Sequence, residues 1–199
     1  MTFSDKDIIK LAKDISEFKE IPPVEIPYID LYMDQITTLF EDKLSHFKRK
    51  EDEMILTKTM INNYAKAKIL PPIKNKKYSK TQVMLLILIY NLKQTLSLED
   101  IKLLIEPAIT PSTEASVIDE KVSELYNNFL KLKENQIEPF LESITKDINT
   151  IDTMYKDSNL EDSPHNLILT VLALINSANL QKRLAEKIID NYFKTSDKK

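Results

Sequence analysis

The chain has 199 residues, contains no Gly, Cys or Trp, and carries a formal net charge of −3 from 28 Lys and Arg against 31 Asp and Glu. The lack of glycine excludes a P-loop, a dinucleotide-binding turn and a nucleophile elbow, because each needs Gly where the backbone turns sharply or approaches a phosphate. The lack of cysteine excludes disulfides, thiolate metal sites and cysteine nucleophiles. With only two His as well, we expect a non-enzymatic protein with no catalytic residue, metal site or cofactor.

The longest apolar segments cover residues 83–89 and 167–175, whereas a transmembrane helix needs about 18 residues. The N-terminal residues lack the basic and apolar regions of a signal peptide. We therefore expect a cytoplasmic protein without membrane association.

Charge is distributed unevenly along the chain. Residues 54–98 contain eight Lys and no Asp or Glu, whereas residues 1–53 sum to −5 and residues 99–199 to −6. A basic segment between acidic ones is typical of a surface that contacts a polyanion such as nucleic acid. A buried segment would also lack acids, but burial does not explain the seven Lys from Lys58 to Lys80.

Apolar periodicity predicts an all-α fold, with five helices in the first half of the chain. We place them at residues 4–18, 28–47, 58–68, 80–94 and 98–106. Three further signals set their ends: Ser4 and Thr57 are N-cap residues, Ser79 with Gln82 and Ser97 with Asp100 form capping boxes, and Pro71-Pro72 stops the third helix. The segment 73–78 is predicted as a basic turn, at most a tiny hairpin, with Asn75 in the left-handed conformation.

The apolar face of each predicted helix identifies the side expected to be buried. For the first helix this face comprises Ile8, Leu11, Ala12 and Ile15, and for the third it comprises Met60, Ile61, Tyr64 and Ala65. The aromatic side chains of Tyr28, Tyr32 and Tyr64 are also expected in the core.

In the second half, Pro107 and Pro111 predict a boundary between a domain of residues 1–106 and one of residues 107–199. A heptad-like apolar stripe runs from Ile118 to Tyr155, with a kink or break expected near Pro139. This stripe is either the core of a helical bundle or the seam of a dimer. Ser163-Pro164 is predicted to begin a last helix that extends to about residue 193, with an interruption near 176–179.

The third helix and the turn after it carry the candidate nucleic-acid contacts. Lys58, Asn62 and Lys66 form one stripe at a spacing of four residues. The amides of Asn62 and Asn63 suit bidentate pairing with adenine in the major groove. Lysines of this helix and of the turn (Lys58, Lys66, Lys74, Lys76 and Lys77) suit backbone phosphates. A second small basic cluster comprises His46, Lys48, Arg49 and Lys50.

The segments LTKTMINNYAKAKILPP, KKYSKTQVMLLILIYNLKQ and SLEDIKLLI resemble the winged helix-turn-helix of MerR-like regulators. With IPYIDLYMDQITTLF upstream, residues 5–106 are similar to an uncharacterised bacterial family catalogued only as a domain of unknown function and grouped with that fold. The resemblance implies a recognition helix, a wing that ends in Tyr78, and pairing of two copies through a helix that follows the DNA-binding domain. It assigns DNA contacts to Lys58, Asn62, Asn63, Lys66, Lys74, Lys76, Lys77 and Tyr78.

The chain departs from the MerR-like pattern in four respects. Asn62 replaces a frequent phosphate-contacting Arg, Lys68 stands where Gly commonly ends the helix, and the wing has no Gly, with Lys76 in the place of its Arg. We predict a sequence-specific DNA-binding transcriptional regulator whose residues 107–199 form a helical dimerisation or sensing module. Its expected partners are double-stranded DNA, a second copy and an effector in an apolar pocket of that module. The alternative is a protein-interaction module on a winged-helix fold that has lost DNA binding.

Overall fold

The computed structural model of the chain describes residues 4–109, 115–155 and 164–194. This part of the chain is mostly helical, which confirms the all-α prediction. It contains seven α-helices and one small antiparallel sheet: α1 Asp5–Ser16, β1 Leu31–Tyr32, α2 Met33–Leu44, α3 Lys58–Lys66, β2 Lys77–Tyr78, α4 Lys80–Lys93, α5 Leu98–Ile109, α6 Ala115–Tyr155 and α7 Pro164–Tyr192. A single 3₁₀ turn, Ser45–Phe47, follows α2.

The predicted caps are present at four helices. The Ser4 backbone N–H donates to Asp7 Oδ2 (2.9 Å) at the start of α1, and the Met60 N–H donates to Thr57 Oγ1 (3.2 Å) at the start of α3. Ser79 with Gln82 begins α4, and Ser97 with Asp100 begins α5. Each pair satisfies backbone N–H groups that have no partner within the helix.

The predicted helix 28–47 begins later than its periodicity suggests. Residues 31 and 32 form β1, which pairs with β2 in the register Leu31 opposite Tyr78 and Tyr32 opposite Lys77. The helix then runs over α2, with Ile36, Phe40 and Leu44 buried. Pairing with residues 45 and 47 positions later in the chain therefore places the start of the predicted helix in a strand.

The chain divides into two compact units. The larger unit comprises the described residues of 19–131 and 186–199, and the smaller unit comprises those of 1–18 and 132–185. The predicted domain boundary at 106/107 falls inside the larger unit and inside α5, which contains Pro107. Pro111 and the predicted cap Ser163 lie outside the described residues.

The larger unit is built around α4, whose residues Thr81–Ile89 are all buried. Helix α6 joins this core through Val122 and Tyr126, which are both fully buried. The Tyr126 hydroxyl donates to the carbonyl oxygen of Ile21 (2.6 Å), a hydrogen bond that spans 105 residues of sequence. Burial, with the nearby Glu20, raises the pKa of Tyr126, so its hydroxyl stays protonated and able to donate.

The smaller unit has a core of its own. Ala12 of α1 packs with Ile144 and Ile148 of α6, and Ile8 and Ile9 are half-buried beside them. The predicted face of α1 was therefore wrong at two positions: Leu11 and Ile15 are 55% and 56% exposed. The covered side of α1 is formed by Ile8, Ile9 and Ala12. Leu11 and Ile15 lie outside it and do not pack on α6.

The predicted stripe of α6 is part of the internal packing at several positions. Val122 lies in the core of the larger unit, while Ile144, Ile148 and Ile151 are buried within α6's second half. Leu125 and Leu132, by contrast, are 44% and 54% exposed. Pro139 lies within α6, and α7 continues through residues 176–179, so neither helix is broken at these points. The alternative of a kink at Pro139 stays a prediction. The Tyr155 side chain lies outside the described residues.

Candidate nucleic-acid interface

Helix α3 presents a polar side to solvent because its apolar side is anchored in the core. Ile61 and Tyr64 are buried, at 0% and 2% exposure. Lys58, Asn62 and Lys66 are consequently exposed in one row, as their spacing predicts. Asn63 is exposed as well, whereas the prediction that Ala65 is buried was wrong, because it lies at the edge of the buried side.

The C-terminus of α3 turns the chain sharply. Lys68 has a φ of 59°, and its N–H donates to the Ala65 carbonyl (3.0 Å) while the Ile69 N–H donates to the Tyr64 carbonyl (3.2 Å). These two bonds form a Schellman motif, which usually places Gly at the left-handed residue. Buried Ile69 completes the motif against α3, so tertiary packing holds Lys68 in a conformation that its Cβ disfavours.

The basic segment after α3 forms a tight turn. The Lys77 N–H donates to the Lys74 carbonyl (2.9 Å), and the two central residues, Asn75 and Lys76, have φ of 52° and 60°. Positive φ at both positions is the pattern of a type I′ hairpin turn. The predictions of a tiny hairpin and of left-handed Asn75 are confirmed, and the side chains of Lys74 and Lys76 are exposed.

A buried glutamine from α4 holds the connection between α3 and this turn. Gln82 is 6% exposed, and its amide Nε2 donates to the carbonyl oxygens of Pro71 (2.9 Å) and Pro72 (3.3 Å). Its Oε1 accepts from the Ser79 N–H (2.9 Å). The sequence predicts only this last bond, because capping is local. Gln82 therefore links the end of α3 to the start of α4 and limits where the turn can lie.

Two of the lysines near the turn lie over aromatic rings. Lys77 Nζ is 4.9 Å from the centroid of Tyr32, its partner in the sheet, and Lys80 Nζ is 3.8 Å from that of Tyr28. Both tyrosines are exposed, at 52% and 84%, so the prediction that they are core residues was wrong. Their rings instead hold lysine ammonium groups through cation–π attraction.

One predicted DNA contact is buried. Tyr78 is 1% exposed, and among the described residues its hydroxyl has no hydrogen-bond partner. Burial raises the pKa of this tyrosine. Strand pairing opposite Leu31 turns the side chain into the core, so the assignment of Tyr78 to a DNA-contacting surface was wrong.

An acid from outside the basic segment lies beside it. Lys58, at the start of α3, forms an ion pair with Asp34 in the first turn of α2, and both side chains are mostly exposed. The stretch from Tyr28 to Asp34 thus contacts Lys58, Lys77 and Lys80. The start of α3 and the end of the turn therefore both lie next to this stretch. No spacing rule in the sequence predicts this pair, since its members are 24 residues apart.

The second basic cluster is partly used in internal contacts. Lys48 forms an ion pair with Glu41, and a ring nitrogen of His46 lies 3.1 Å from the Lys19 carbonyl oxygen.

In residues 4–109, 115–155 and 164–194, no group of three or more His, Cys, Asp or Glu is placed to hold a metal ion. The helices of the same ranges include none long and apolar enough to cross a membrane.

The smaller unit contains an open groove of about 1100 Å³ between α1 and α6. Ile9 and Leu141 supply apolar surface to it, and its charged lining is balanced, with Lys13 and Lys146 against Glu138 and Glu142. The effector pocket was predicted within residues 107–199, whereas this groove is formed by α6 together with α1.

Three comparisons with known proteins bear on this arrangement. Neither a curated protein nor a solved structure matches the chain. A protein-family profile matches residues 21–129, which is more than half of the chain and nearly the whole first segment of the larger unit. The match covers α2, α3, the turn and α4, and it confirms the expected resemblance to an uncharacterised family. The chain therefore belongs to the family described as a domain of unknown function, DUF1836.

Proposed function

We propose that this chain binds double-stranded DNA sequence-specifically and acts as a transcriptional regulator without chemistry of its own. The observation that carries the proposal is the exposed polar side of α3: Lys58, Asn62 and Lys66 all reach solvent. This row belongs to a stretch of 45 residues without an acid. Such a surface is the electrostatic footprint expected of a nucleic-acid-binding protein.

In this proposal, α3 is the recognition helix of a MerR-like winged helix-turn-helix. Asn62 and Asn63 read base edges in the major groove, where an amide pairs with adenine through two hydrogen bonds. Lys58 and Lys66 hold phosphates on either side. The order of α2, α3, turn, α4 and α5 along the chain agrees with this arrangement.

The turn acts as the wing. Exposed Lys74 and Lys76 contact the phosphate backbone, which fixes the position of α3 on the duplex but carries no sequence information. Lys77 contributes charge from its place over Tyr32. Two copies of the chain would place two recognition helices one or more turns of DNA apart, and the groove between α1 and α6 is the proposed effector site.

The proposal is tested by retention of labelled genomic DNA fragments, including the region upstream of the chain's own gene, at two salt concentrations. We expect selective retention that falls with salt, with a log–log slope of about −0.9 for each phosphate contacted. A folded protein that retains no fragment at low salt would contradict the proposal.

Two variants then separate base reading from phosphate contact. Asn62→Ala is expected to weaken the selected duplex by about 1–3 kcal/mol and leave random duplexes unchanged. Lys74→Ala is expected to weaken both duplexes alike and to reduce the salt slope by about 1. Equal losses on both duplexes for Asn62→Ala would contradict its role in base reading.

A second candidate function is a protein-interaction module without DNA binding. The Lys58–Asp34 ion pair favours it, because an acid beside the start of α3 opposes the approach of phosphate. Asn62 in the place of the usual Arg favours it too. Failure of DNA retention, together with binding of an acidic protein to the same exposed lysines, would support this candidate instead.

A further inference from the structure

The N-terminal half of α7 exposes a broad apolar surface. Six side chains of this segment are between 37% and 56% exposed, and we refer to them as the outer face: Leu167, Ile168, Val171, Leu172, Leu174 and Ile175. A single exposed leucine needs no explanation, but a contiguous group of this size is typical of an interaction site.

The outer face lies opposite the side of α7 that is already covered. Thr170 is buried, and Leu169 and Ala173 are half-buried. At 3.6 residues per turn, the six exposed residues span an arc of about 160° centred roughly opposite these three. In the N-terminal half of α7, packing therefore covers one side of the helix and leaves the other, more apolar side without a partner in the described residues.

The composition around the outer face narrows the class of partner. Residues 164–181 contain no Asp, Glu, Lys or Arg. A helix that lies on a membrane surface carries Lys or Arg on its polar side, and a nucleic-acid contact needs positive charge. An uncharged apolar protein surface fits instead, because the cores of protein interfaces are depleted of charged residues.

We propose that the outer face of α7 is the site at which two copies of this chain associate. A twofold pair brings the same patch of each copy together, so an uncharged patch is self-complementary and buries no unpaired charge. At about half exposure, six such side chains present on the order of 500 Å² per chain. Full coverage in a pair of copies buries about 1,000 Å², the lower limit for a biological interface. This surface differs from the stripe of α6, which the two units use internally at Val122, Ile144 and Ile148.

The association does not depend on DNA binding, and it is measured on the full chain without nucleic acid. By analytical ultracentrifugation, we expect twice the monomer mass of 23.1 kDa. Leu172→Glu should weaken self-association by at least a hundredfold with the helical circular dichroism unchanged, because Leu172 is 56% exposed. Leu180→Glu is the matched control: Leu180 is 58% exposed on the opposite side of α7 and should leave the dimer intact.

Cross-linking gives a second, independent readout. The chain has no cysteine, so Leu172→Cys and Leu180→Cys each introduce one thiol. A short bis-maleimide should join two chains through position 172 and leave position 180 uncrosslinked. A wild-type chain that stays monomeric at high micromolar concentration would overturn the proposal. A dimer that survives Leu172→Glu but dissociates with Leu180→Glu would overturn it as well, by showing that the other side of α7 forms the contact.

Discussion

At the scale of single residues, the charge of the α3 surface depends on a neighbour that lies outside the basic segment. Lys58 is paired with Asp34. The stretch of residues 54–98, which contains Asn62, Lys66 and Lys74, has no acid of its own. An exposed ion pair contributes little to stability. Its effect on a polyanion is larger, because Asp34 both neutralises Lys58 and repels phosphate.

Asp34→Asn is therefore expected to strengthen DNA binding by about threefold to tenfold at low salt. The control is Asp42→Asn, which removes the same charge from an exposed position two turns further along α2. Affinities of both variants for the selected duplex can be measured by fluorescence anisotropy. Unchanged binding by Asp34→Asn would show that Lys58 does not face the phosphates.

At the scale of elements, the end of α3 and the basic turn after it both contain residues in an unusual backbone conformation. Lys68, Asn75 and Lys76 all have positive φ. A lysine in the left-handed region costs about 1–2 kcal/mol relative to the right-handed helix. The Schellman bonds at the end of α3 and the buried Gln82 at the start of α4 hold this segment in place despite that cost.

Lys68→Gly is expected to raise the free energy of unfolding by about 1 kcal/mol, because glycine takes positive φ without a steric penalty. Lys66→Gly is the matched control, since residue 66 lies within the helix and glycine there should lower the same free energy by about 0.5–1 kcal/mol. Urea denaturation measures both. A loss of stability in Lys68→Gly equal to that in Lys66→Gly would contradict the assigned conformation.

At the scale of the whole molecule, the larger unit is completed by contacts between distant parts of the chain. Tyr126 of α6 donates to Ile21, at the opposite end of the segment that matches the family profile. Three buried tyrosines, Tyr64, Tyr78 and Tyr126, have raised pKa values because burial disfavours the phenolate. Of these three, Tyr126 has a hydrogen-bond partner and the other two have none among the described residues.

Tyr126→Phe is expected to lower the free energy of unfolding by about 1–3 kcal/mol, because it leaves the buried Ile21 carbonyl without its donor. Tyr78→Phe removes a hydroxyl with no partner and should be neutral or slightly stabilising. Chemical denaturation of the two variants provides the comparison. Equal losses would show that packing of the ring, and not the hydrogen bond, is what Tyr126 contributes.

Much of the local structure is predictable from the sequence. The caps at Ser4, Thr57, Ser79 and Ser97, the start of α3 and the left-handed Asn75 all follow from residues within about four positions of one another. The exposure of Lys58, Asn62 and Lys66 follows as well, because a helix of known limits with Ile61 and Tyr64 buried has its opposite side in solvent. These features need no knowledge of distant parts of the chain.

The sequence by itself determined the helical fold, the limits of the basic segment and the polar side of α3, since local hydrogen bonding and periodicity govern all three. Only the tertiary structure decided that Tyr78 is buried while Tyr28 and Tyr32 are exposed, that Asp34 pairs with Lys58, and that the outer face of α7 is uncovered. The physical reason is that each of these depends on which distant surfaces meet. Where a helix has apolar residues on more than one side, its sequence does not show which side is buried. Packing against distant parts of the chain decides this.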